Sequence, residues 1–146
     1  MIYVGADHRG YELKEKIKQW LDELGYKYED MGALEYNKDD DYPDHAKAVG
    51  DKVVSNPEHK GILTCGSGIG IAIAANKIKG IRAGTATSTE QVRASVNDED
   101  LNVLAISADY TDESQTKEIV KTFLETKFSG EERHVRRVSK IKELEK

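Results

Sequence analysis

The strongest constraint on this chain is a hydrophobic period that switches repeatedly along it. Short segments at residues 2–6, 26–30, 61–64, 81–86 and 103–106 read as strands, the central ones as apolar runs and 26–30 as a more polar one. Helical-period segments separate them. Leu13, Ile17, Trp20, Leu21 and Leu24 recur on one helix face, and Gly25 closes that helix. After a polar loop at 31–41, Pro43 opens a helix with Ala46, Val49, Val53 and Val54 on its face, ending near Asn56-Pro57. The small-residue run 71–78, a short segment at 88–96, a long one at 111–127 with Thr111 and Ser114 as cap candidates, and a last one at 131–145 read as further helices. Strands alternating with helices predict an α/β fold: a single domain over 1–146, doubly wound and Rossmann-like. It holds a five-stranded parallel sheet, helices on both faces and a C-terminal helical tail. A chain of 146 residues buries about 70% of its unfolded surface, enough to fold without staples.

Composition narrows the function classes. Hydrophobic residues make up 38%, charged residues 34%, and the formal net charge is −5. An acidic balance argues against a nucleic-acid binder, which needs a basic surface. One cysteine excludes an internal disulfide framework, and no apolar run approaches the ~20 residues that span a bilayer. The chain opens on a strand-like segment rather than a basic-then-apolar leader. The expectation is a cytoplasmic protein with no membrane partner and a reduced thiol. Charge is uneven: residues 35–44 are acidic, whereas 133–142 are basic and suit a local anion site.

Parallel α/β sheets bind ligands at the carboxyl ends of their strands, near a switch in strand order. The first strand ends in Asp7-His8-Arg9-Gly10 and the third in Cys65-Gly66-Ser67-Gly68-Ile69-Gly70. The glycine segment is neither a dinucleotide fingerprint, since Ile71 stands at the next required glycine, nor a P-loop, since no Gly-Lys-Ser/Thr follows. It reads either as tight strand-to-helix packing or as a row of N–H groups for an anion or oxyanion. Cys65 reads either as a small core hydrophobe or as a thiolate favoured by a helix amino terminus, acting as base or nucleophile. Asp7 reads as a helix cap or as a site carboxylate beside His8. Arg133 and Arg137, four apart, share a helix face and with His134 suit a phosphate clamp, or else form a solvated basic helix. His45 and His59 read as surface residues. Asp39, Asp40 and Asp41 read as a solvated loop, since their spacing matches no calcium loop and no metal is expected.

These segments, with Asp41-Tyr42-Pro43, Ala74-Ala75-Asn76-Lys77, Gly80-Ile81-Arg82-Ala83, Asn102-Val103-Leu104-Ala105 and the tail Arg133-His134 with Arg137-Val138, resemble the type B ribose-5-phosphate isomerase family. That family includes galactose-6-phosphate isomerase subunits. The resemblance runs over nearly the whole chain, and the Arg-His-x-x-Arg-Val tail favours the ribose-phosphate branch. It implies reversible aldose–ketose isomerisation of a phosphorylated sugar, as in the pentose phosphate pathway, with no cofactor. It also implies a homodimer, pairing in some cases into tetramers, whose active sites both subunits build. Carried over, Cys65 is the base between C1 and C2, and the N–H groups of Gly66, Gly68, Ile69 and Gly70 hold the enediolate. Asp7 and Tyr42 meet sugar hydroxyls, Ser67 lies near the ring oxygen, and His8, Arg133 and Arg137 bind phosphate.

Two departures stand out. Where many members carry a His-Asn pair assigned to ring opening and substrate binding, an ungapped alignment places Asp98 and Glu99; with a two-residue insertion Val96 and Asn97 stand there instead. Where members have a phosphate-binding arginine after the last strand, this chain has Asp109. Ring opening then falls to Asp98 or Asp7, or occurs in solution. The alternatives are an isomerase of another pentose or hexose phosphate, a non-catalytic sugar-phosphate-binding module, and a thiol hydrolase using Cys65 as nucleophile.

Overall fold

A computed structural model describes all residues, 1–146. In chain order the elements are β1 (Ile2–Ala6), α1 (Tyr11–Leu24), β2 (Tyr28–Asp30), α2 (Tyr42–Val53), β3 (Lys60–Cys65), α3 (Ile69–Ala75), β4 (Ala83–Thr85), α4 (Thr89–Glu99), β5 (Val103–Ser107), α5 (Glu113–Glu125) and α6 (Glu132–Glu143). All pairings are parallel, and the sheet order is β2-β1-β3-β5-β4. The predicted doubly wound α/β architecture with its helical tail is therefore present.

The sheet separates two apolar cores. Val4, Ile62, Leu104 and Ile106 face α1, α4 and α5, which contribute Ile17, Leu21, Val92, Val96, Ile119 and Phe123. Tyr3, Leu63, Val103 and Ala105 face α2 and α3, which contribute Ala46, Val49, Ile71 and Ala75. Alternate residues of one strand thus feed opposite layers, which is why the central strands read as unbroken apolar runs.

The differences from expectation lie at element ends. The edge strands β2 and β4 span three residues each, shorter than the segments 26–30 and 81–86 expected for them, as an edge strand pairs on one side only. Helix α3 stops at Ala75 rather than Ile78, because Asn76 turns back to the sheet. Its side-chain amide donates to the Ala83 carbonyl at 2.8 Å, and its oxygen accepts from the Ala83 N–H at 2.7 Å. The cap of α5 is Asp112, accepting from the Ser114 N–H at 2.8 Å, not Thr111 or Ser114. Gly25 does close α1, in the left-handed conformation that glycine adopts without penalty. No helix is long and apolar enough to cross a membrane.

The strand order reverses between β1 and β3. The chain steps outward from β1 to β2, then returns to lay β3 on the other side of β1. The crevice rule for open α/β sheets directs attention to the carboxyl ends of these two strands.

Candidate active site

The ends of β1 and β3 are tied together before any ligand is considered. The Thr64 hydroxyl donates to the Gly10 carbonyl at 2.9 Å, linking the end of β3 to the loop after β1. Past β5, the Ser107 hydroxyl donates to the Gly66 carbonyl at 2.7 Å, and the Ala108 and Asp109 N–H groups donate to Cys65 and Gly66 at 2.9 and 3.1 Å. The glycine turn is thus held from both sides. At its centre Gly68 has φ +74°, and a Cβ there would stand 2.7 Å from the Ser107 nitrogen. The turn needs glycine for conformation and for room alike.

These ties frame an open cavity of about 470 Å³ lined by Asp7, His8, Arg9, Tyr42, Cys65, Gly66, Ser67, Gly70 and Tyr110. Cys65 is buried, 4% exposed, and packs with the α2/α3 core. Its core-hydrophobe role and its place in the cavity therefore coexist. The Gly68 N–H donates to Cys65 Sγ at 3.2 Å, an interaction that a charged acceptor makes more strongly than a neutral one. The Ile69 N–H is taken by the Ser67 hydroxyl at 3.2 Å. The N–H groups of Gly66 and Ser67 donate to no protein acceptor. Tyr42 opens α2, with Pro43 fixing the first turn, and lays its ring against Gly70, where a Cβ would stand 3.0 Å from the ring carbon Cζ.

Asp7 is buried, and one of its carboxylate oxygens accepts the N–H groups of Arg9 and Gly10 at 3.0 and 3.1 Å. It shapes the turn into α1 while also lining the cavity, but the helix-cap reading is corrected: the N-cap of α1 is Gly10, with no side-chain cap, because Asp7 lies too far ahead of Tyr11 and spends its oxygen on the turn.

His8 is fixed by a partner that the sequence did not reveal. Asp40 accepts the His8 backbone N–H at 2.9 Å and meets its ring Nδ1 at 2.8 Å, while its other oxygen meets His45 Nε2 at 3.0 Å. Burial pushes the Asp40 carboxyl up, but the hydrogen bonds from His8 and His45 outweigh it and hold the group below the usual carboxylate range. The solvated-loop reading is therefore corrected for Asp40 and the surface reading for His45. Both are largely enclosed, at 10% and 16% side-chain exposure, because the loop folds back over the end of β1. No local signal could have shown this, since His8 and Asp40 are 32 residues apart.

The remaining candidates form a second cluster that does not line this cavity. Asn97, Asp98 and Glu99 end α4, against which α6 packs. The Asn97 amide donates to Asp98 at 2.8 Å, and buried His134 lies 3.6 Å from the same carboxylate. Burial and the neighbouring Asp98 charge push the Glu99 carboxyl up, with His134 and Arg137 opposing them. Arg133 pairs with Glu131 at 3.0 Å. Within one chain, then, Asp7, His8, Tyr42, Cys65, Ser67 and the glycine turn come together, whereas Asn97, Asp98, Glu99, Arg133 and Arg137 stand apart.

Comparison with known proteins agrees with the motifs. A Ribose/Galactose Isomerase family model matches residues 2–141. The Bacillus subtilis (strain 168) protein YwlF is 40% identical over 144 residues, covering 99% of this chain and 96% of its own. The solved structure of ribose-5-phosphate isomerase B from Clostridium thermocellum superposes with a TM-score of 0.93 at 41% identity, covering 99% of this chain and 96% of that one. Ribose-5-phosphate isomerase B from Mycoplasma genitalium, solved with bound ribulose-5-phosphate, superposes with a TM-score of 0.93 at 37% identity, covering 99% and 95%.

Proposed function

Because this chain belongs to the ribose/galactose isomerase family, we propose that it interconverts ribose 5-phosphate and ribulose 5-phosphate with Cys65 as the base. The observation that carries the reading is the placement of Cys65 Sγ at the end of β3. There it accepts the Gly68 N–H at 3.2 Å and shares one cavity with Asp7, His8 and Tyr42. The reaction is an internal redox exchange: C1 is reduced as C2 is oxidised. It therefore needs no external electron carrier. What it needs is a base near the proton α to the carbonyl and donors for the charge that follows.

The proposed steps use this arrangement. The Cys65 thiolate takes the C2 proton of the open-chain aldose, and the electron pair moves through C1=C2 onto O1. The unclaimed N–H groups of Gly66 and Ser67 are the donors available to that oxyanion. A proton passes from O2 to O1, and the Cys65 thiol returns its proton to C1, leaving the ketose. Asp7 and Tyr42 contact the hydroxyls and Ser67 lies by the ring oxygen. His8, set by Asp40, meets the phosphate. Binding the phosphate away from the reacting carbons fixes the sugar in register.

A homodimer completes the site in this reading. The tail cations Arg133 and Arg137 lie outside the cavity of their own chain, and they serve the cavity of a second subunit, with Asp98 or Asp7 acting in ring opening. The protein then works in the cytoplasm, in pentose phosphate metabolism. Turnover on a panel of pentose and hexose phosphates tests the substrate: ribose 5-phosphate is expected to be the preferred one. A preference for a hexose phosphate would reassign it, and binding without turnover of any member would overturn the enzymatic reading. Mixing the inactive variants C65A and R137A tests the shared site, because hybrid dimers regain one complete site only if the two residues come from different chains.

A further inference from the structure

The cavity contains one permanent cation that the steps above do not use. Arg9, in the loop after β1, forms an ion pair through Nη2 with Asp109, in the loop after β5. Strand β3 lies between β1 and β5 in the sheet, so this pair bridges the carboxyl end of β3, directly over the turn that follows Cys65. Gly66 sits beneath it. A Cβ there would stand 2.7 Å from Arg9 Nε, 2.8 Å from Arg9 Cζ and 2.9 Å from Asp109 Oδ2. The absence of a side chain at Gly66 is what lets the guanidinium come this close to the turn.

We propose that Arg9, held across the glycine turn by Asp109, is a substrate-binding residue whose guanidinium takes the phosphate of the sugar. The proposal rests on the sugar-phosphate reading above and adds to it a contact from the chain that carries Cys65.

Three observations carry it. Arg9 is the only lysine or arginine lining the cavity. The other basic group there, His8, already has Nδ1 committed to Asp40. Asp109 occupies Nη2 alone, which leaves the other N–H groups of a planar, five-donor fork whose spacing matches phosphate oxygens. The Arg9 side chain is 58% exposed, and an exposed ion pair of this kind adds little to folding stability. What the pair accomplishes is placement: a long flexible cation is held over one edge of the cavity instead of ranging through solvent. Asp109 also offsets the cation's charge until a dianion arrives, and it is a positioning residue rather than a contact.

The test uses the full-length protein, its R9M variant, which keeps the apolar stem, and D109N, which keeps the guanidinium but releases it. Inorganic phosphate binding by calorimetry is measured for all three, together with KM and kcat on ribose 5-phosphate. R9M is expected to weaken phosphate binding and raise KM by about tenfold or more, the loss of one charge-assisted contact. D109N is expected to raise KM by a smaller factor, with the melting temperature unmoved. Phosphate affinity and KM of R9M within twofold of the parent would overturn the proposal, as would a parent that does not bind phosphate. Because the phosphate titration needs no turnover, it judges Arg9 even if ribose 5-phosphate proves not to be the substrate.

Discussion

Replacing Asp40 by alanine isolates the device that sets His8. The carboxylate makes three contacts at 2.8 to 3.0 Å: the His8 backbone N–H, the His8 ring and the His45 ring. A net hydrogen bond contributes ~1 kcal/mol, and one to a charged group ~1.5–3 kcal/mol. The side chain is enclosed, but its histidine partners keep some access to water, so the lower figure applies to each contact. Three such contacts make about 3 kcal/mol an upper range for the stability loss. The functional loss is separate. With His8 in the phosphate-binding role proposed above, a ring free to rotate forfeits one charge-assisted contact to the phosphate, ~1.5–3 kcal/mol, or about tenfold to a hundredfold in kcat/KM. Steady-state kinetics on ribose 5-phosphate, at a temperature well below the variant's melting point, keep the two effects apart. The expected change is mainly in KM. A D40A variant with kcat/KM within twofold of the parent would refute the claim that Asp40 acts through His8.

Three further outcomes follow from the same structure. Lys14 is fully enclosed, 1% exposed, with Nζ held by Asp30 at 2.7 and 2.8 Å, so D30N strands a buried charge and should lower unfolding free energy by about 3–5 kcal/mol in urea titration. G68A should lower it by ~1–3 kcal/mol, because an alanine there must adopt φ +74° with its Cβ against the backbone of β5; Cys65 turnover should fall with it as the Gly68 N–H moves from Sγ. The carboxyls of Asp30 and Asp40 sit below the usual range: burial opposes this, but Lys14 and Lys18 hold the first down, and His8 and His45 the second. A lowered carboxylate adds stability that is present above its unfolded pKa of ~3.9 and disappears as pH falls through the folded value. Stability should therefore drop on acidification below about pH 4, and D40N should flatten that limb; an unchanged acid limb would contradict the assignment.

The sheet and its helices were legible because the apolar periods are long and consistent. The central strands β1, β3 and β5 carry unbroken apolar runs, and the Leu13–Leu24 stripe ends on a glycine at the left-handed position. The element ends were less legible, since Asn76 ends α3 by bonding to Ala83, a contact made only after the chain has turned. The site divides in the same way. Cys65 and its glycines announce themselves as a contiguous motif. The residues that set its charges do not: Asp40 reaches His8 across 32 positions, and Asp109 reaches Arg9 across 100. A run of three aspartates in a polar loop looks solvated from composition, and only the return of that loop over β1 selects the middle one. The separation of Arg133 and Arg137 from the cavity is likewise a matter of where α6 lies, which local pattern does not encode.

The central claim is that Cys65 moves the proton between C1 and C2. The most direct measurement is turnover of ribose 5-phosphate by C65A, with phosphate binding measured on the same preparation. Loss of the general base should reduce kcat by at least ~10²–10⁴-fold while phosphate affinity stays near that of the parent. A C65A protein that turns over ribose 5-phosphate at a rate close to the parent's would contradict the account.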